Sequence, residues 1–243
     1  MRGLREDCLR PRVSCSESLM RITVVDYGMG NLRSVAKALE RVAPDEEVVV
    51  TSDPDVVHSS DRVVFPGQGA MPDCMREMDA RGLRSAILDA ARSKPFLGIC
   101  IGLQMLFERS EEGDVAGLGL LEGNVRRFPR NRMVDAEGRK LKVPHMGWNM
   151  VRQTHTHPLW EGIDQNARFY FVHSYHVVAN TNITAAETDY PTPFVSAVSV
   201  RNIFAVQFHP EKSHNAGLRL LSNFVSWKIS DVGALDLSRQ ISA

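Results

Sequence analysis

A surplus of charge of either sign is absent from this sequence. Across 243 residues, 29 lysines and arginines balance 29 aspartates and glutamates. The balance excludes a nucleic-acid protein that works by bulk positive charge and offers no polybasic anchor for a membrane surface. Long apolar runs are missing too. None approaches the roughly 20 residues that a membrane-spanning helix needs. Cysteine is scarce: Cys8, Cys15, Cys74 and Cys100 form no CxxC pair and no metal-ligand spacing. That excludes a disulfide framework or a cysteine-rich zinc site and fits a reducing, cytoplasmic setting. His155 and His157 lack a third zinc ligand and are expected to be solvated in the polar stretch before Pro158. Gly28-Met29-Gly30-Asn31 lacks the third glycine of a dinucleotide fingerprint. There is no internal repeat and no low-complexity segment. Nothing points to a metal, nucleotide or flavin cofactor held by this chain.

What is present is an ordinary globular composition, 43% hydrophobic and 24% charged, long enough for one domain with a sizeable core. Residues 1–19 have a charged start, no apolar h-region and neither structural period. They are expected to be a disordered leader, with the domain running from Met20 to residue 243. Ile22 to Val25, Val48 to Val50, Val63 to Phe65 and Phe96 to Ile99 are short apolar runs that read as strands. Between them, Leu32, Val35, Leu39 and Val42 recur at helical spacing, and Met75 to Arg92 reads as one helix with Leu83, Ile87 and Ala91 inward. Gly102 to Arg109 reads as a further helix. Fully apolar strands alternating with helices imply an α/β fold with a mostly parallel sheet covered on both faces. Past Leu118 the strands alternate and carry aromatics: Asn124 to Phe128, Arg168 to Val172, Phe194 to Val200 and Ile203 to Phe208. Arg201-Asn202 suggests a hairpin. Ala216 to Lys228 reads as a closing helix with Leu220, Leu221, Phe224 and Trp227 inward. One domain with an antiparallel extension is expected.

The chemistry concentrates at Gly98-Ile99-Cys100-Ile101-Gly102, a G-x-C-x-G at a strand-to-helix junction. This is the pattern of a nucleophile elbow with sulfur for oxygen. Flanking glycines relieve the clashes of a sharp turn, and the N–H groups at the helix start favour a thiolate. His209-Pro210-Glu211 supplies a base and an orienter. Pro210 biases His209 toward extended backbone, and residues two apart in such a segment point the same way, so the Glu211 carboxylate can hold the His209 imidazole. An oxyanion formed on attack by the thiolate needs N–H donors. Ile101 offers one, and the turn Pro66-Gly67-Gln68-Gly69 offers another through Gln68 or Gly69. The residues alone leave other α/β cysteine hydrolases open, and a binding subunit that kept the fold.

Phe65-Pro66-Gly67-Gln68-Gly69, Gly98-Ile99-Cys100-Ile101-Gly102-Leu103-Gln104 and His209-Pro210-Glu211 together resemble a class I glutamine amidotransferase. Asp26-Tyr27-Gly28-Met29-Gly30-Asn31-Leu32, Val143-Pro144-His145-Met146-Gly147-Trp148-Asn149, Phe171-Val172-His173-Ser174-Tyr175 and His209-Pro210-Glu211-Lys212-Ser213 resemble, within that class, the glutaminase subunits of imidazole glycerol phosphate synthase. Gln68 stands where the family pattern has Val, Ile101-Gly102-Leu103 where it has Leu-Gly-Met, and His176 where it has Tyr. The resemblance implies a flavodoxin-like fold and a Cys100–His209–Glu211 triad that hydrolyses glutamine through a thioester. It also implies a heterodimer with a (β/α)8-barrel synthase, which would use the ammonia to make imidazole glycerol phosphate and an aminoimidazole carboxamide ribonucleotide. It implies substrate contacts at Gln104, Glu112, Ser174 and Tyr175, and Asn31, Trp148 and Lys212 toward the synthase.

Overall fold

The computed structural model describes residues 19–129, 133–134 and 138–229; apart from Leu19, the expected leader lies outside the described residues. The first part is wound as strand and helix in turn: β1 (Arg21–Val25), α1 (Leu32–Val42), β2 (Glu47–Thr51), α2 (Pro54–Ser59), β3 (Arg62–Gly67), α3 (Met71–Ala80), α4 (Arg84–Ser93), β4 (Phe96–Cys100) and the single turn α5 (Ile101–Gln104). The second part is mainly strand: β5 (Phe107–Ser110), β6 (Val115–Ala116), β7 (Leu121–Arg127), β8 (His145–Met150), β9 (Arg152–Gln153), β10 (Arg168–His173), β11 (Tyr175–Ala179), β12 (Thr184–Asp189), β13 (Pro193–Val200) and β14 (Ile203–Val206), closed by α6 (His214–Ser226).

The main sheet runs β2-β1-β3-β4-β14-β13-β11-β7-β5-β6. Its first five strands are parallel, and every residue of β3, β4 and β14 is buried. Such strands need cover on both faces, which explains their unbroken apolar runs. From β13 onward the pairs are antiparallel except β5 with β7. β8 and β10 form a separate two-stranded ribbon. The turn at Arg201-Asn202 joins β13 to β14 as the sequence suggests, with Arg201 at φ 52°. Leu220, Leu221, Phe224 and Trp227 are all buried. Among the described residues, no helix is long and apolar enough to cross a membrane.

Two sequence expectations fail for physical reasons. The helix read over Met75 to Arg92 is two helices, α3 and α4. Gly82 sits at φ +67°, its N–H donates to the Asp79 carbonyl at 3.0 Å, and the Leu83 N–H donates to the Met78 carbonyl at 3.1 Å. That is a Schellman stop, with buried Leu83 as the apolar residue that packs back on the last turn. The helix read over Gly102 to Arg109 stops after Gln104 and gives way to β5. Leu103 to Phe107 is wholly buried and Gln104 is its one polar residue, too little polar patterning to separate one period from the other.

The topology gathers three strand ends. β4 lies between β3 and β14, with Gly67 opposite Cys100 and Val206 opposite Ile99. Their carboxyl ends therefore open on one crevice, where open parallel sheets bind ligands. The packing there leaves no room for side chains. A Cβ on Gly102 would lie 1.8 Å from the Phe65 carbonyl oxygen, a backbone atom that cannot step aside. Gly102→Ala is expected to destabilise the fold by about 3 kcal/mol, a fall of about 6–12 °C in Tm for a domain of this size. Thermal unfolding by circular dichroism checks this; an unchanged Tm would contradict the packing.

Candidate active site

Cys100 ends β4 at φ 56°, ψ −109° and starts α5, a conformation that side-chain-bearing residues rarely adopt. The turn aims the sulfur into the crevice rather than along the strand. His209 follows β14 by three residues and is tied down by its backbone: its N–H donates to the Tyr170 carbonyl at 2.9 Å, and the Ser213 hydroxyl donates to its carbonyl at 2.6 Å. His209 Nδ1 lies 2.8 Å from Glu211 Oε1, with both side chains buried. Its Nε2 has no hydrogen-bond partner among the described residues and is left for the sulfur. Burial drags the imidazole pKa down, but the neighbouring Cys100 sulfur and Glu211 carboxylate overcome it and hold it up at about 10.

A cavity of about 300 Å³ is lined by Gln68, Gly69, Cys100, Ile101, Gln104, Glu112, Ser174, Tyr175 and His209, with Pro144, Val172 and His173 completing the wall. Sequence-predicted nucleophile, base, oxyanion and substrate residues thus share one space. Glu211 stands behind His209, as an orienter must. Gln104 is no helix-surface residue but 1% exposed. Its Nε2 donates to the Tyr175 carbonyl and to Gln207 Oε1, each at 3.0 Å, while its Oε1 is buried without a partner among the described residues. Glu112 accepts from the Met71 N–H at 2.8 Å and so caps α3. Asn31 shares a small crevice with His209 and Glu211, and Lys212 shares another with Glu211 and His214. Trp148 is 37% exposed, its ring stacked on His214 with centroids 4.9 Å apart.

The turn after β3 is held from behind. The Tyr27 hydroxyl donates to the Pro66 carbonyl at 2.7 Å, and the Cys74 thiol donates to the Gln68 carbonyl at 3.5 Å. Burial pushes the Cys74 thiol up to about 11 and the Tyr27 phenol well above its usual range, so both remain donors. The Gln68–Gly69 peptide is trans, so the Gly69 N–H points away from Cys74.

Three comparisons set this geometry among known proteins. The family described as "Glutamine amidotransferase class-I" matches residues 23–227. The chain belongs to the class-I glutamine amidotransferases. The imidazole glycerol phosphate synthase subunit HisH of Aromatoleum aromaticum is 67% identical over 207 residues, 85% of this chain and 98% of that protein. The HisH subunit of Thiobacillus denitrificans is 66% identical over 219 residues, 89% of this chain and 96% of that one. Among solved structures, PurLQS from Thermotoga maritima aligns with TM-score 0.63 at 19% identity, covering 86% of this chain and 99% of that chain. A glutamine amidotransferase from the same organism aligns with TM-score 0.56 at 14% identity, covering 86% and 84%. At those identities the likeness is of fold, and it agrees with the flavodoxin-like α/β architecture.

Sequence reasoning about this amidotransferase missed the second layer of the site: Tyr27, Cys74, His173 and Gln207. Gln207, two residues before His209, carried a signal, since a polar residue inside an apolar strand run wants a partner. It also misread His157, which is buried rather than solvated. His157 Nδ1 accepts from the Leu159 N–H at 3.1 Å, its ring packs on Phe204 and Trp227, and burial lowers its pKa to about 4. The local polarity of the stretch hid a helix cap that points inward.

A folded-state pKa raised from 6.5 to about 10 means that the protonated imidazole stabilises the fold below its unfolded value and that this contribution is lost as pH rises through about 10. Because the Cys100 sulfur is the leading cause of the rise, Cys100→Ala is expected to lower the His209 titration midpoint by at least about one unit. Imidazole resonances followed by NMR through the pH range read this out; an unmoved midpoint would uncouple the two groups.

Proposed function

We propose that this amidotransferase is the glutaminase subunit of an imidazole glycerol phosphate synthase, working in the cytoplasm with a (β/α)8-barrel synthase subunit. The observation that carries the hydrolytic half is that Cys100 and His209 line one cavity with Gln104, with Glu211 bonded to His209 from behind. The synthase half rests on identities of 67% and 66% to HisH subunits across nearly their whole length.

The chemistry follows from the positions. Glutamine enters with its α-ammonium toward the wall that carries Gln104 and its carboxamide toward Cys100. Glu112, Ser174 and Tyr175 line the remaining wall. The Cys100 sulfur attacks the carboxamide carbon, and the developing oxyanion takes N–H groups of Ile101 and of Gln68 or Gly69. His209 passes its proton to the amine, the C–N bond breaks and ammonia leaves. A water then loses a proton to His209 and attacks the thioester. The C–S bond breaks, and glutamate departs. Glu211 keeps the imidazole in place and offsets its charge. No metal or cofactor enters any step.

The partner would lie on the side that carries Asn31, Trp148 and Lys212. Along β8, Met146, Trp148 and Met150 alternate outward and are exposed, a row of large apolar side chains suited to an interface core. Trp148 stacks on His214, two residues beyond Lys212, so contacts made on the ribbon lie close in space to the segment that carries His209 and Glu211.

Two outcomes are expected. Cys100→Ala should abolish glutamine hydrolysis, while the complex with a barrel synthase subunit still makes product from added ammonium salt. Glutamate and product assays on the same samples separate the two, and glutamine-dependent turnover by the variant would sink the reading. Trp148→Ala should weaken assembly with the synthase by about tenfold or more, the usual loss for a central interface aromatic. Isothermal calorimetry measures it, and an unchanged Kd would move the interface elsewhere.

A further inference from the structure

Gln207 is completely buried beside the nucleophile, and neither the triad nor the cavity wall accounts for it. A carboxamide has one end that only donates and one that only accepts, so which end meets the sulfur decides what it does there. Here a fixed point decides. The Tyr175 carbonyl can only accept, and Gln104 reaches it at 3.0 Å, so Gln104 must turn its Nε2 that way. The same Nε2 lies 3.0 Å from the Gln207 side chain, so the Gln207 end facing it must be Oε1. The opposite end, Nε2, then lies 3.8 Å from the Cys100 sulfur with an N–H to give. The fixed point is itself anchored. His173 Nδ1 donates to the Tyr175 carbonyl at 2.8 Å, and His173 Nε2 meets His145 Nδ1 at 3.0 Å.

We propose that Gln207 is a catalytic hydrogen-bond donor to the Cys100 sulfur, oriented for that role by Gln104 and the Tyr175 carbonyl. The inference rests on Cys100 being the nucleophile of the reading above. An N–H aimed at sulfur favours its anionic form over the thiol, and in a buried site no water competes for the same position. The donor serves twice. It favours the thiolate that attacks the carboxamide, and it hydrogen-bonds to the sulfur as the electron pair returns there when the thioester C–S bond breaks. Glu112, His173 and Tyr175 share the cavity wall with Cys100, and the groups coupled to its charge are His209, Tyr27 and Cys74. Burial keeps the last two protonated, so Gln207 and His209 are left to answer the charge.

The test uses the full chain with Gln207→Glu and Gln207→Met. Glu keeps the acceptor for Gln104 and removes the donor, while Met keeps the volume without adding charge. Iodoacetamide alkylation of Cys100 is followed by peptide mass spectrometry, which separates it from the other three cysteines. In both variants the alkylation profile is expected to move to higher pH by about half to one unit, so that alkylation on the rising limb slows about three- to tenfold. In Gln207→Glu, kcat for glutamine should fall with KM little changed. A residue that only fills space would alter Tm and leave the profile where it was; profiles of the folded variants that superimpose on the wild type overturn the proposal. If neither variant folds, the wild-type chain decides: the 15N resonance of the Gln207 side-chain amide must titrate with the midpoint of the alkylation profile, and a flat response overturns the proposal. Glutamine hydrolysis by Cys100→Ala would instead remove the underlying reading, whatever Gln207 does.

Discussion

Cys100 occupies a backbone conformation, φ 56° and ψ −109°, that costs of order 1–3 kcal/mol for a residue with a side chain, and the structure around it is arranged so that no relaxed alternative fits. Gly102 lies against the Phe65 carbonyl so closely that a Cβ would meet it at 1.8 Å, and a Cβ on Gly98 would lie 2.9 Å from that of Ala205. These contacts come from β3 and β14, the two strands that flank β4. The same strands supply the turn at Gln68 and Gly69 and the approach to His209. One piece of packing therefore surrounds the strained backbone of Cys100 and brings Gln68, Gly69 and His209 to it. Ligand binding at strand ends is a general property of parallel sheets; here it is sharpened by strands that pack at glycine distance.

Around this core the polar groups form two layers with different electrostatics. Next to the sulfur, His209 is held up toward the charged form by Cys100 and Glu211. Behind the Tyr175 carbonyl the histidines are driven the other way. His145 falls to about 4 and His173 well below its usual value, both through burial. The neutral rings make a directional chain: the Asn149 amide donates to His145 Nε2 at 3.2 Å, His145 Nδ1 to His173 Nε2, and His173 Nδ1 to the carbonyl. A protonated ring anywhere in that chain would put donor against donor. Burial thus keeps the rings neutral, and the carbonyls of Asp189 and Tyr175, which can only accept, set the direction of the amides and of the ring protons. The chain starts on β8, the strand whose outward face carries Met146, Trp148 and Met150.

Much of this was legible in one dimension. Strand β4, the glycines around Cys100 and the His-Pro-Glu turn follow from local sequence, because an elbow, a pre-proline residue and an i, i+2 pair each impose their geometry within a few residues. The parallel half of the sheet was legible too, since strands buried on both faces must be apolar throughout. Helix limits were less so. A Schellman glycine at Gly82 hides inside an acceptable helical pattern, and the mostly apolar stretch from Leu103 to Phe107 fits either period.

The second layer needed the tertiary structure. Tyr27, Cys74, His173 and Gln207 are far apart in the chain, and only Gln207, polar within an apolar run, stands out in its own neighbourhood. Gln104 and Gln207 are 103 residues apart and meet at 3.0 Å only because β4 and β14 are adjacent. The sequence by itself determined the local geometry of Cys100 and of the His209–Glu211 pair, through constraints that act over two or three positions. Which way each buried donor faces was decided by the fold alone, because the direction of a hydrogen bond depends on the partner across the strand and not on the neighbour along it.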